Sequence, residues 1–152
     1  MQHSIRLRVR ADTADTAIVY DKHGQAFPLA SLCAGDAALI AFLQPGGEPT
    51  EHFLNELYDA YERLSAVCRV VIVLPSSGSS SPAYVRFADK YGRIDTYIDA
   101  DEVQEPLARA AFKEPGDYPL LFLMGGYPDC RFASAGYSVG SVELIIKLAA
   151  LI

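Results

Sequence analysis

Residues 37–43 form an unbroken apolar run, Ala-Ala-Leu-Ile-Ala-Phe-Leu, and residues 70–74 form a second, Val-Val-Ile-Val-Leu. Each is far shorter than the ~20 apolar residues of a membrane-spanning helix. A strand with one wet face alternates apolar and polar residues, whereas a strand buried on both faces reads as a continuous apolar run. The chain must therefore cover both faces of a sheet with other elements. Between the two runs lies the breaker segment Gln44-Pro45-Gly46-Gly47-Glu48-Pro49, and then Phe53, Leu54, Leu57, Tyr61 and Leu64 recur at helical period. Pro49 suits the first turn of that helix, where its missing N–H costs nothing. A strand–helix–strand unit of this kind needs parallel strands and a right-handed crossover.

The flanking sequence extends the pattern. Ahead of the first run, two short strand-like stretches within residues 18–29 surround the turn Asp21-Lys22-His23-Gly24 and predict a hairpin. After the second run, residues 75–81 (Pro-Ser-Ser-Gly-Ser-Ser-Ser) form a polar loop with Ser81 as N-cap of a helix. Tyr84, Phe87, Ala88 and Tyr91 mark that helix's inner face, and a short strand follows at residues 96–98. Asp101 with Gln104 resembles a capping box opening a third helix to about Phe112. Residues 119–124 and 130–135 flank Gly125-Gly126-Tyr127-Pro128-Asp129 and predict an antiparallel hairpin. A last helix from about Gly140 to Ile152 turns Val142, Ile145, Leu148, Ala149 and Ile152 inward. There is no internal repeat or domain-sized linker, so residues 1–152 read as one α/β domain. Residues 1–16 form an N-terminal strand or extension, and residues 17–152 form a core with a mixed sheet covered by helices on both faces.

Net charge is −6 with no offsetting Lys/Arg cluster, a surface that repels phosphate backbones. A nucleic-acid partner is not expected, nor a membrane span. The first residues, Met-Gln-His-Ser-Ile-Arg-Leu-Arg-Val-Arg, lack the apolar core of a signal peptide. That fits a cytoplasmic chain and equally one excised from an exported cell-envelope protein. Cys33, Cys68 and Cys130 are dispersed, with no C-x-x-C and no metal-finger spacing.

The order of elements resembles the thioredoxin fold, specifically the redoxin branch of thiol–disulfide oxidoreductases and peroxiredoxins. Asp21-Lys22-His23-Gly24 leading into Pro28-Leu29-Ala30-Ser31-Leu32 is similar to that branch's N-terminal hairpin. Gly35 and the strand to Phe42 resemble its first core strand, and Asp99-Ala100-Asp101 its D-x-D turn. Tyr118-Pro119 followed by Leu120-Leu121-Phe122-Leu123 resembles its cis-proline and next strand. The resemblance spans residues 17–152 and implies a three-layer thioredoxin-like fold with a cis Tyr118–Pro119 bond close to residues 47–50.

It also implies W-C-x-x-C at the start of the first long helix, where the helix N-terminus stabilises a thiolate nucleophile. This chain has no Trp, and Gly46-Gly47-Glu48-Pro49-Thr50 stands there instead. Gly47 takes the place of the nucleophilic Cys and Thr50 that of the resolving Cys. A peroxiredoxin alignment puts Phe53 at the peroxidatic position. Dithiol exchange at this site is excluded, because neither Gly nor Thr supplies a thiol.

Other chemistry is thinly supported. Cys68, before the second apolar run, reads as a small buried hydrophobe, Cys33 lies in the loop before the first run, and Cys130, beside a hairpin turn, reads as an exposed thiol. Glu48 and His52, four apart, share a helix face at a metal-ligating spacing, but two ligands are not a site and the simpler reading is an exposed ion pair. Asp99, Asp101 and Glu102 lack the calcium-loop pattern, and Gly46-Gly47 lacks the lysine of a phosphate loop. No cofactor or metal is expected. In the resembling family, the helix start and the residues flanking the cis-proline receive an extended peptide. The resemblance implies that Tyr118, Pro119, Gly47, Glu48 and Thr50 line the equivalent groove here. The expected function is thus a redox-inactive module that binds a protein or peptide, or an accessory domain of a larger protein. The alternatives are an oxidoreductase using one of its three cysteines unconventionally and a purely structural packing domain. The partner and oligomeric state stay open.

Overall fold

The two apolar runs are neighbouring parallel strands at the centre of a seven-stranded sheet. The computed structural model describes residues 18–21, 23–33, 37–44, 47–75, 82–91, 95–99, 117–125 and 130–152. In chain order these are β1 (Ile18–Tyr20), β2 (Ala26–Pro28), α1 (Leu29–Leu32), β3 (Ala38–Phe42), α2 (Glu48–Ser65), β4 (Arg69–Pro75), α3 (Pro82–Tyr91), β5 (Asp95–Asp99), β6 (Leu120–Met124), β7 (Cys130–Ala135) and α4 (Ser141–Ala149). The sheet order is β2-β1-β5-β4-β3-β6-β7. The β3–β4 and β4–β5 pairs are parallel; β3–β6, β6–β7, β1–β2 and β1–β5 are antiparallel. This is the mixed α/β sheet expected. The N-terminal strand, the Ser81 cap and the third helix fall outside the described residues.

Alternation along β3 divides the core. Ala38, Ile40 and Phe42 join one buried cluster with Val71, Val73, Leu120 and Phe122. Leu39, Ala41 and Leu43 join the other, which Phe53, Leu54 and Leu57 of α2 and Val142 and Ile145 of α4 complete. Both faces of β3 are dry, which is why its sequence carries no polar residue. Fully burying side chains such as Phe53 or Leu57 contributes about 1.5–3 kcal/mol each.

The α2 helix begins without a side-chain cap: Gly47 is its N-cap at φ −82°, Pro49 sits in the first turn, and Glu48 and Glu51 place negative charge at its positive end. The hairpin turn is built by Asp21, whose carboxylate accepts from the amides of His23 (2.8 Å) and Gln25 (2.9 Å), with Gly24 at φ 79°.

After β2 the chain makes a single helical turn, α1, with Leu29 and Leu32 three apart and both buried. Two expectations are corrected. Ile152 points outward, 45% exposed. The helix tightens after Ala149, with Leu151 and Ile152 amides bonding three residues back, and this rotates Ile152 off the inner face. Cys130 is buried, 2% exposed. A register shift between Leu123 and Met124 sets it opposite Met124, and the bulge turns it to the face opposite that of Phe132.

Candidate functional site

Sheet register gathers the expected site residues at one end of the molecule. Phe42, the last residue of β3, pairs with Leu120, the first of β6. The chain leaves Phe42 toward Gly47 and the start of α2, and it enters Leu120 from Tyr118–Pro119. That peptide bond is cis. The Pro119 carbonyl accepts from the Gly136 amide at 3.0 Å, which brings the segment between β7 and α4 to the same end.

The individual residues differ in what they present. Glu48 is exposed and its Oε1 lies 3.2 Å from His52 Nε2, the i,i+4 pair expected. Tyr118 is half-buried and packs on the core cluster below it. Pro119 is buried, and Thr50 is 1% exposed. Thr50 belongs to the inner stripe of α2 with Phe53, Leu54 and Leu57, so the helix turns it inward and its contribution to a surface groove is small. A side chain would fit at Gly47: a Cβ there meets Gln44 O at 3.6 Å and Pro49 Cδ at 3.9 Å, ordinary contact distances.

Several contacts at this end are long-range and have no local sequence signal. Glu51 Oε2 accepts from the Ala83 amide at 3.2 Å and so caps the start of α3. The His52 ring stacks on Tyr137, centroids 5.5 Å apart and planes 27° apart. Glu56 accepts from the Tyr137 hydroxyl, and that bond pushes the phenol up to about 12. The spacing of Glu48, His52 and Glu56 on one helix face was the only hint of this stripe. Among the described residues no group of three His, Cys, Asp or Glu side chains is placed to hold a metal.

Charge is distributed unevenly. Glu48, Glu51 and Glu56 in the first half of α2, Asp99 at the end of β5 and Asp117 before β6 lie toward the site end. The described cations lie elsewhere: Arg63, Lys90 and Lys147 in last helical turns, Arg69 at the start of β4, Arg131 at the start of β7 and Arg86 along α3.

The cysteines occupy the opposite end. Cys33 precedes β3, Cys68 precedes β4, and Cys130 faces Met124, roughly 13 Å along the sheet from Leu120 at about 3.3 Å per residue. All three are free and buried. Burial pushes the Cys33 thiol up to about 12, with Arg69 opposing, and the Cys68 thiol up to about 11. The Cys130 thiol donates to the Phe132 carbonyl at 3.2 Å. At pH 7 a thiol raised this far stays protonated. A cavity of about 300 Å³ opens beside Cys68 and Arg69, at this end and away from the α2 start.

No protein-family model matches the chain, and no similar curated protein is found. Its structure does have close counterparts. A secreted Mycobacterium tuberculosis disulfide oxidoreductase homologous to Escherichia coli DsbE superposes with a TM-score of 0.64 at 17% identity, covering 93% of this chain and 99% of that one. The Xanthomonas campestris bacterioferritin comigratory protein, studied for alkyl peroxide reduction, gives 0.66 at 16% identity, covering 98% and 97%. The thioredoxin domain of a Bacteroides vulgatus thiol–disulfide oxidoreductase gives 0.64 at 12%, covering 95% and 98%. The chain has the thioredoxin-like fold, which these three proteins share.

Proposed function

We propose that this chain is a thioredoxin-like module without dithiol chemistry, which holds an extended segment of a protein partner against Tyr118, Pro119 and the start of α2, on its own or as an accessory part of a larger protein. The observation that carries this reading is the separation of scaffold from thiols. The cis bond of Tyr118–Pro119 and the Gly47–Thr50 helix start share one end of the sheet, while every cysteine is buried at the other. An extended chain recognised this way gains main-chain hydrogen bonds for affinity and side-chain pockets for specificity. The acidic residues around this end favour a neutral or basic segment and disfavour an acidic one.

Oxidoreduction through Cys33, Cys68 or Cys130 is disfavoured, because a thiol must reach its substrate as thiolate, all three are buried, and burial raises the Cys33 and Cys68 thiols. Two assays test the proposal. Dithiothreitol-driven insulin reduction should proceed at the protein-free rate. The S-carboxamidomethylated insulin B chain, an extended polypeptide without thiols, should bind wild type and bind Tyr118→Ala more weakly. Equal binding by the two would leave a packing domain as the account.

A further inference from the structure

The segment 136–140, between β7 and α4, has no secondary structure of its own, yet it is held at four points. Its Gly136 amide donates to Pro119 O at 3.0 Å. The Tyr137 ring stacks on His52, its hydroxyl donates to Glu56, and the Gly140 amide donates to the same Glu56 Oε2 at 3.4 Å. Two donors three residues apart in the loop thus converge on one carboxylate oxygen of α2. Gly140, at φ 84°, makes the turn that lets its amide face that oxygen before the chain enters α4. The same loop carries Val139 outward, 88% exposed.

We propose that Glu56 is a positioning residue for the binding site: it latches the 136–140 loop to α2 and so fixes the loop beside Tyr118–Pro119. This rests on the groove reading above for its consequence and not for its geometry. Hydrogen bonds to an ionised acceptor are the stronger kind, and a half-buried carboxylate shared by a side chain and a backbone amide ties two parts of the loop at once. Without it the loop keeps the His52 stack, the Gly136 bond, the packing of Tyr137 on the core and the turn bond from the Ser141 amide to Ser138 O, but loses the two bonds that tie Tyr137 and Gly140 to one oxygen of α2. Its amides should then open locally while the core stays closed. A loosened loop must be re-ordered whenever a partner docks, so affinity falls although no partner-contacting group has been removed.

The test uses Glu56→Ala, Glu56→Gln and wild type, with amide hydrogen exchange read residue by residue. Glu56→Ala should speed exchange at Gly140 by about tenfold or more and leave β3 and β4 amides unchanged, and Glu56→Gln, which keeps an acceptor oxygen, should restore most of the protection. Unchanged exchange at Gly140 in Glu56→Ala, or equal acceleration there and in β3, overturns the latch. Binding of the S-carboxamidomethylated insulin B chain separates the two readings. Weaker binding in both Tyr118→Ala and Glu56→Ala supports both. Weakening in Tyr118→Ala alone overturns the positioning role and leaves the groove standing. No weakening in Tyr118→Ala removes the groove, and the exchange result then decides the latch on its own.

Discussion

Phe42 and Leu120 face each other at the ends of antiparallel strands, and that single pair determines what the site can contain. It puts the entry to α2 and the cis Tyr118–Pro119 bond at the same edge of the sheet. It also puts the other end of β6, and Cys130 with it, out of reach. The pair depends on a dry core on both sides of β3.

That core sets the first expectation. Leu57 is fully buried between α2 and the sheet, so Leu57→Ala should cost about 2–5 kcal/mol. Glu48→Ala, on the exposed face of the same helix, should stay within about 0.5 kcal/mol of wild type. Urea denaturation checks both, and similar losses for the two would mean that α2 does not pack as described.

Most of this architecture was legible in the sequence, because its signals are local. Continuous apolar runs marked the doubly covered strands, and Pro49 and the Phe53–Leu54–Leu57 spacing marked α2. The contacts that hold the site together were not legible. Glu56 meets Tyr137 across 81 residues of chain and Glu51 meets Ala83 across 32, and no periodicity encodes such partners. The misreadings share a cause: a bulge turned Cys130 inward and a tightened last turn moved Ile152 outward, each a shift of local geometry that residue pattern does not announce.

Cysteine reactivity gives the second expectation. With Cys33 and Cys68 raised to about 12 and 11 by burial, and Cys130 buried, the native protein should resist iodoacetamide at pH 8. Mass spectrometry should count three adducts only after denaturation. Rapid native labelling of any one cysteine would show that site to be open.

Tyr137 supplies a pH expectation. Its folded pKa, about 12, exceeds the value of about 10 for a free phenol because the hydroxyl donates to Glu56. The folded state therefore keeps a proton that the unfolded chain releases, so this bond stabilises fully below pH ~10 and its contribution is lost as pH rises through ~12. Carbon-13 NMR of labelled tyrosine should show the Tyr137 ring titrating high, returning toward the ordinary value in Glu56→Ala. A Tyr137 that titrates alike in both proteins would contradict the bond.

Charge should govern partner choice. A lysine-containing extended peptide should bind more tightly than its glutamate counterpart, and its binding should weaken as salt screens the acidic end. Tyr118→Ala combined with Glu48→Lys should weaken binding of the basic peptide without unfolding the domain, since Glu48 is exposed and Tyr118 only half-buried. Titration calorimetry measures this directly, and equal affinity for wild type and the double variant would mark the groove as vestigial.

The proposed module without dithiol chemistry has Gly47 and Thr50 where the resemblance implies the two thiols. Gly47 has space for a side chain at an ordinary φ of −82°, and Thr50 already carries one of similar size to cysteine. The decisive measurement is therefore dithiothreitol-driven insulin reduction by wild type and by Gly47→Cys/Thr50→Cys. Wild type should match the protein-free control, and the double variant should exceed it by about tenfold or more, because a thiol at the α2 N-terminus gains thiolate character there. Activity in wild type that disappears on replacing Cys33, Cys68 or Cys130 with serine, or a folded double variant no faster than the control, would contradict the account.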